Sequence, residues 1–414
     1  QGYSAYSILK TGKDEFGKFL PFKYLESYGD YKPPVYSYIG VFSVKIFGLN
    51  EFGVRFPSAM LGVLTVFLSY LLVKELFRKV PDEKREWIGL SAALFLAISP
   101  WHIMLSRGAY EANVSTFFIV LGVFSFLRAV NRNSWYFVLS AISFAVSFYT
   151  FNTARVFVPL LAVFLVVIFR KYILSNKKQI ILAGLVGLTM VGPLIPFLLS
   201  PQAKLRFQEV NIFSDSEIVK VSNQKIANDN GVFWSKIINN RRVGYGLEFG
   251  KHYLDNLSPS FLFITGDGNP RFSTQDVGQL YLWDLPFLIF GAFLLVRKKE
   301  GHWWLIPVWV LLGIIPAATA RETPHALRIE TIMPTLQIIT AYGFVESAYR
   351  LKKYRQVIIS SLLFLLFLGL VFFYHGYAKH YAREYSGEWQ YPYKEAVAYV
   401  GQAKNNYKSV EITD

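Results

Sequence analysis

Residues 53–77, GVRFPSAMLGVLTVFLSYLLVKELF, decide the fold: no charged side chain lies between Arg55 and Lys74. At about 1.5 Å per residue, a helix over that run nearly crosses the ~30 Å hydrocarbon core of a bilayer. The run is shut by the basic cluster KELFRK. Working outward, similar windows recur, giving ten candidate spans at roughly 53–77, 87–104, 110–129, 134–151, 156–170, 180–199, 281–297, 302–319, 328–347 and 356–376. The chain of 414 residues is 53% hydrophobic and 17% aromatic, more apolar and more aromatic than soluble domains are. The reading is an all-α polytopic membrane protein.

The connecting segments alternate in character. KELFRKVPDEKREW, RAVNRN, RKYILSNKK, VRKK and YRLKKYR together hold 18 Lys and Arg, whereas SRGAY, FNTAR and RETPHALR hold four. By the positive-inside rule the first set is cytoplasmic and the second faces outward. Residues 1–52, 200–280 and 377–414 then fall on the outer side, so nearly all the extramembrane mass is there. This organisation predicts a transmembrane domain over 1–376, including outer loops 1–52 and 200–280, followed by the start of a C-terminal extracytoplasmic α/β domain over 377–414. Ten spans with both ends outside predict an eleventh helix before Gln1, and the closing YKSVEITD reads as a strand without a partner, so both ends are expected to be truncated.

The net charge of +15 sits in these short loop clusters rather than on a basic stripe, which argues against nucleic acid. With no cysteine, disulfides, thiolate metal sites and a cysteine nucleophile are excluded. No Gly-rich phosphate loop, HExxH or Ser-His-Asp spacing is present. The sequence assigns no cofactor and no metal ligand set, and does not encode a metal requirement.

Charges at the outer ends of spans are costly near hydrocarbon and point to function. In LSRGAYEANV, Arg107 and Glu111 are spaced to share a helical face, as an internal ion pair or as an acid held for an acceptor. In ARETPHALRIETIMP, Pro324 suits a first helical turn. His325 and Arg328 would then share a face at a helix N-terminus, a place for phosphate, with Arg321 beside them; lipid headgroup contact is the bland reading. Arg155 in FNTARVFVP is a further candidate cation or a simple interfacial arginine. His102 reads as packed, Glu322 and Glu330 as local partners of the arginines, and 263–281 as an ordered outer loop whose aspartates, Asp267 and Asp276, miss the calcium-loop spacing. In GDYKPPVYSY (29–38), Pro33 and Pro34 hold Lys32 extended and start a short aromatic helix lying in the outer interface.

Together YSILKTGKDEFGKFLP, YKPPVYSYIGVFSVKIFGLNEFGVRFPSAMLGVLTVFLSYLL, LSRGAYEANV, PHALRIETIMPTLQIITAYG and EYSGEWQYPYKEAVAYV resemble the GT-C superfamily of membrane glycosyltransferases. The nearest branch holds the protein O-mannosyltransferases and the lipid A aminoarabinose transferase. The resemblance implies a polyprenyl-phosphate-linked sugar donor and transfer on the extracytoplasmic face of the plasma (inner) membrane. It implies that Lys32 binds donor phosphate, that His325 and Arg328 form a late basic element for the same phosphate, and that Glu111 stands where relatives carry an aspartate. The family's first-loop acidic pair would lie upstream of Gln1; Asp14 and Glu15 come too late to be it. Arg107, Arg155 and Arg321 complete the expected donor-phosphate set, Glu111 being the expected acid. The acceptor is a glycan, lipid or protein, the sugar is not encoded, and membrane lipids are the remaining partners. The alternatives are a multispan transporter or flippase, and a non-catalytic envelope scaffold.

Overall fold

The computed structural model describes residues 1–27, 29–404, 407, 409 and 411. It is almost entirely helical. The first element, α1 (Gly2–Thr11), is followed by a hairpin of β1 (Leu25–Ser27) and β2 (Asp30–Lys32), whose register places Leu25 opposite Lys32. Gly29 turns the hairpin with φ 75°, a left-handed conformation that glycine adopts without a Cβ penalty. Two prolines then lead into α2 (Val35–Phe47), the short helix expected from the sequence. It buries Tyr36 while Phe42 and Ile46 stay exposed, leaving an apolar outer face.

The deciding segment forms α3 (Glu51–Leu76). Its N-terminus is capped by Asn50, whose side chain accepts a 2.8 Å hydrogen bond from the Gly53 amide, satisfying one of the helix's free donors. The next span is broken into α4 (Asp82–Ala97) and α5 (Pro100–Arg107), bent by 57°. Pro100 holds Ser99 extended (ψ 125°), because a residue before proline is pushed out of the helical region. After it come α6 (Glu111–Asn131), α7 (Tyr136–Phe148) and α8 (Ala154–Ile168). Later helices cover Lys177–Val191, Asp284–Lys298, Leu305–Ala318, Thr335–Arg350 and Arg355–His375.

Each of the ten windows thus meets a helix, with two corrections. The second window is interrupted at Ser99. The ninth does not start near 328: only a short 3-10 turn at Glu330–Ile332 precedes Thr335, and Met333, restrained by Pro334, is extended at ψ 143°. Pro324 therefore lies in a loop, not in a first helical turn. Among the described residues four helices are long and apolar enough to cross a membrane, or five if the bent α4–α5 pair is one span.

Packing follows small residues and buried aromatics. The Asp284–Lys298 and Thr335–Arg350 helices touch backbone to backbone: a Cβ on Gly291 or Gly343 would strike the Ile339 or Phe287 carbonyl, the close approach that small residues allow between apolar helices. Trp101 and Trp309 are fully buried, and each donates its indole N–H to a carbonyl, of Ala326 (3.1 Å) and Thr331 (2.7 Å), as buried tryptophans require.

At one end of the bundle the basic loops meet. Arg128 and Arg132 reach Glu75 at 3.3 and 3.0 Å. Lys298 lies 2.7 Å from the buried Glu346, which also pairs with Lys84 and with Arg350 at 3.6 Å. Four of the five segments assigned to the cytoplasmic side share this network, as a single face demands. Beyond the Arg355–His375 helix the chain stays helical, with Tyr391–Ala403 as the last helix. The strand expected at YKSVEITD falls mainly outside the described residues.

Candidate functional site

Lys32 and Glu111 meet at the end of the bundle opposite the basic loops. Glu111 opens α6, half-buried, where a carboxylate suits the positive helix end. Beneath it Tyr36, Leu61 and Val114 pack α2, α3 and α6 into one small core, and Tyr36 donates to the Val54 carbonyl at 2.8 Å. That core fixes the start of α2, and hence Lys32, against the start of α6. Lys32 lies near enough to Glu111 to act on its carboxylate electrostatically. Gln1 bridges the two elements: its amide donates to Glu111 Oε1 and accepts from Ser37 Oγ.

Arg155 joins from the other side of the hairpin. Phe197 stacks on Tyr24 (4.6 Å between centroids), meets Tyr31 at 6.4 Å, and carries the Arg155 guanidinium 5.9 Å above its ring. Arg155 Nε donates to the Phe148 carbonyl at 3.0 Å, while its Nη2 is buried and finds no partner among the described residues. An unpaired guanidinium donor in a buried position is ready for an anion.

The remaining candidates lie elsewhere. Arg107 and Glu111 do not share a helix, because α5 ends at Arg107 and α6 begins at Glu111; no ion pair joins them among the described residues. The sharp turn at Gly108–Tyr110 removes the four-residue spacing on which that reading depended. Arg107 instead sits in an aromatic cage of Tyr377, Tyr381 and Trp389, at 4.7, 5.0 and 4.8 Å from the ring centroids. Trp389 donates to the Tyr381 hydroxyl (2.8 Å), which donates to the Pro270 carbonyl (2.7 Å), so the segment after the last long helix is clasped to the 263–281 loop.

His325 packs on Phe272 with ring centroids 5.0 Å apart, and Phe272 in turn meets Tyr110 at 5.5 Å. Its Nδ1 is 3.7 Å from Asp267 Oδ2. Asp267 ties the two outer segments together, accepting from the Asn269 amide (2.8 Å) and the Ala326 amide (2.6 Å). Burial pushes the Asp267 carboxyl up to about 6, and burial, then the neighbouring Arg328, holds the His325 imidazole down to about 3. His325 is therefore neutral at pH 7 and faces the loop's Asp267. Arg328 donates to the Glu322 carbonyl at 2.9 Å and reaches its carboxylate at 3.4 Å, the local pairing expected of Glu322. Glu330 departs from expectation: it is fully buried and both carboxylate oxygens lack a partner among the described residues.

Arg321 lines a separate cavity of about 440 Å³ in the outer segment, with His252, Glu248 and Lys225. His102 is packed as expected, its Nε2 3.1 Å from the Gly62 carbonyl. Asp14 accepts the Phe16 and Lys18 amides (3.0 and 2.8 Å) and so holds its own loop. Sequence reasoning missed the roles of Gln1, Phe197 and Trp389; only the aromatic character of the outer segments hinted at the last two.

Residues 31–197 match the dolichyl-phosphate-mannose-protein mannosyltransferase family. Among curated relatives, an "Uncharacterized protein" of Aquifex aeolicus is 32% identical over 168 residues, covering 40% of this chain and 32% of that protein. "Putative mannosyltransferase YycA" of Bacillus subtilis is 31% identical over 162 residues, covering 38% of this chain and 22% of its own. The chain thus spans a third or less of the curated relatives it matches. Among solved structures, the archaeal oligosaccharyltransferase AglB of Archaeoglobus fulgidus, in complex with an inhibitory peptide and a dolichol-phosphate, aligns with a TM-score of 0.51 at 16% identity, over 92% of this chain and 51% of that one. The chain shares the fold of that solved oligosaccharyltransferase over most of its length, and residues 31–197 are similar to the mannosyltransferase family.

Proposed function

We propose that the protein transfers a sugar from a polyprenyl-phosphate donor to an acceptor hydroxyl or amide at the extracytoplasmic face of the plasma membrane. The observation that carries this reading is the meeting of Lys32 and Glu111 at one end of the bundle. The acceptor's lone pair attacks the anomeric carbon, and the bond from that carbon to the phosphate oxygen breaks. The acceptor proton passes to the Glu111 carboxylate, and the negative charge left on the polyprenyl phosphate is met by Lys32 and the unpaired Arg155 donor. Lipid phosphate as ligand has support from the matched family's name and from the dolichol-phosphate held by AglB, which shares the fold.

In this reading Arg328 and neutral His325, tied to Glu322 and Asp267, hold the outer segments together, while Arg107 and Arg321 lie outside the reaction centre. The ten helices that meet the sequence windows are read as ten spans. Residues 1–376 form the transferase domain and 377–403 begin an outer segment. The lipid-linked sugar is the one ligand this reading names, a metal requirement is left open, and the sugar is mannose, aminoarabinose or another sugar.

The test is transfer from a labelled polyprenyl-phosphate sugar in membranes, with the product analysed by mass spectrometry. Activity that falls in Lys32→Ala and Glu111→Gln while both proteins insert and melt normally supports the assignment. Wild-type transfer in both removes it.

A further inference from the structure

An open apolar groove of about 690 Å³ runs between α3 and the broken α4–α5 pair. Its volume lies within the range of about 300–1,000 Å³ usual for ligand sites. Ala59, Val63 and Phe67 of α3 face Ala93, Ala97 and Ile103 across it. Val63 and Phe67 are 71% and 61% exposed, so the groove opens on the surface that the bilayer covers.

Its polar groups are not scattered. His102, Ser106 and Arg107 cluster at the outer end, and Tyr70 stands at the inner end with its hydroxyl bonded to Glu86 and receiving the Lys74 ammonium at 2.9 Å. Arg107 makes no ion pair among the described residues. Its guanidinium is held by the aromatic cage, and Trp389 of that cage also carries Arg55 at 5.6 Å. Cation–π contacts orient a guanidinium without neutralising it, and Trp and Tyr rings at this level match the headgroup region of a membrane. Two positive charges thus stand over one end of an otherwise apolar channel.

We infer that this groove is a binding site for an anionic phospholipid of the outer leaflet, its phosphate on Arg107 and one acyl chain between α3 and α4–α5. Charge complementarity selects a phosphate with net negative charge. Length selects the chain: from Ala59 to Tyr70 the groove follows α3 for about 17 Å, close to the ~15 Å depth of one leaflet. A long polyprenyl tail would overrun it. The groove is lined by the face of α3 that carries Ala59 and Val63, whereas Lys32 and Glu111 sit over the core built on Leu61, so this site is distinct from the proposed reaction centre and does not depend on that reading.

The experiment is native mass spectrometry of the delipidated full chain in detergent, titrated with phosphatidylglycerol or with phosphatidylcholine of the same acyl chains. Wild-type protein is expected to retain one phosphatidylglycerol in preference to phosphatidylcholine. Arg107→Gln should weaken phosphatidylglycerol by about 10- to 100-fold, the worth of a lost charge-assisted hydrogen bond, and Arg107→Lys should keep most of it. Val63→Trp, which fills the channel from its lipid side without touching the cage, should displace both lipids. Equal binding of the two headgroups in wild type, unchanged phosphatidylglycerol affinity in Arg107→Gln and Val63→Trp proteins that melt like wild type, or mole-for-mole displacement by undecaprenyl phosphate would each overturn the inference.

Discussion

Lys32, at the end of a two-stranded hairpin, lies within electrostatic reach of Glu111, at the start of a long helix. Nothing in the chain between them is needed to bind them directly; the small core of Tyr36, Leu61 and Val114 holds both elements in place. The carboxylate is the group the proposed chemistry needs at the acceptor. Glu111→Gln keeps its shape and its neighbour Gln1 but cannot take a proton, so transfer should fall by about 10²–10⁴-fold, the usual contribution of a general base. Steady-state rates with a labelled donor measure this, and Glu111→Asp should recover part of the loss.

Arg155 has a buried Nη2 with no partner among the described residues. If donor phosphate occupies that position, Arg155→Lys loses the planar fork while keeping charge, and should raise KM for the donor by about tenfold or more with a smaller change in kcat. An unchanged KM in a variant with normal melting would place the phosphate elsewhere.

The facing pair Asp267 and His325 gives opposed pH dependences. Burial raises the Asp267 carboxyl to about 6. Between about pH 4 and 6 the folded chain keeps a proton that the unfolded chain has released, so this contribution to stability is full at low pH and lost as pH rises through 6. His325 is held down to about 3. Below about pH 6.5 the unfolded imidazole takes a proton that the folded one refuses, so stability falls as pH drops. The two slopes oppose between pH 4 and 6, and wild-type melting should be nearly flat there. Asp267→Asn should lose stability as pH falls across that window, by up to about 1.4 kcal/mol per unit, and His325→Gln should gain it. Thermal melts in detergent from pH 4 to 7 read both signs.

At the opposite end, Glu346 is buried with Lys84, Lys298 and Arg350 around it. Glu346→Ala leaves the buried Lys84 with only Glu300, 3.4 Å away, among the described residues, and should cost about 1–3 kcal/mol, seen as a drop in melting temperature. Glu346→Met with Lys84→Met, which removes both buried charges, should restore much of it.

The helices were legible because a long uncharged run has one physical outcome in a membrane, and the ends were legible because basic loops choose a side. Lys32 before its two prolines was legible for a similar local reason: Pro33 holds it extended and Pro34 leads straight into the next helix. Proline also marks where the reading failed. Pro100 and Pro334 each push the preceding residue out of the helix, which bent the second span and delayed the ninth, and with it the helical face assumed for His325 and Arg328. The spacing of Arg107 and Glu111 looked helical, yet the turn at Gly108 divides them. Arg107's aromatic cage comes from residues 377–389, a contact across the whole chain that local pattern cannot reveal. Burial of His325 depends likewise on Phe272 and Asp267, far away in sequence.

The central claim rests on Lys32 and Glu111 serving one reaction, and the most direct measurement is a double-mutant comparison of sugar transfer from a labelled polyprenyl-phosphate donor in membranes. Wild type, Lys32→Ala, Glu111→Gln and the double variant are compared at equal insertion. The account predicts that each single change lowers transfer by at least about 10²-fold, and that the double variant is far less impaired than the product of the two, as for residues acting as a unit. Transfer at wild-type rates in either single variant, with the protein inserted and folded, would contradict it.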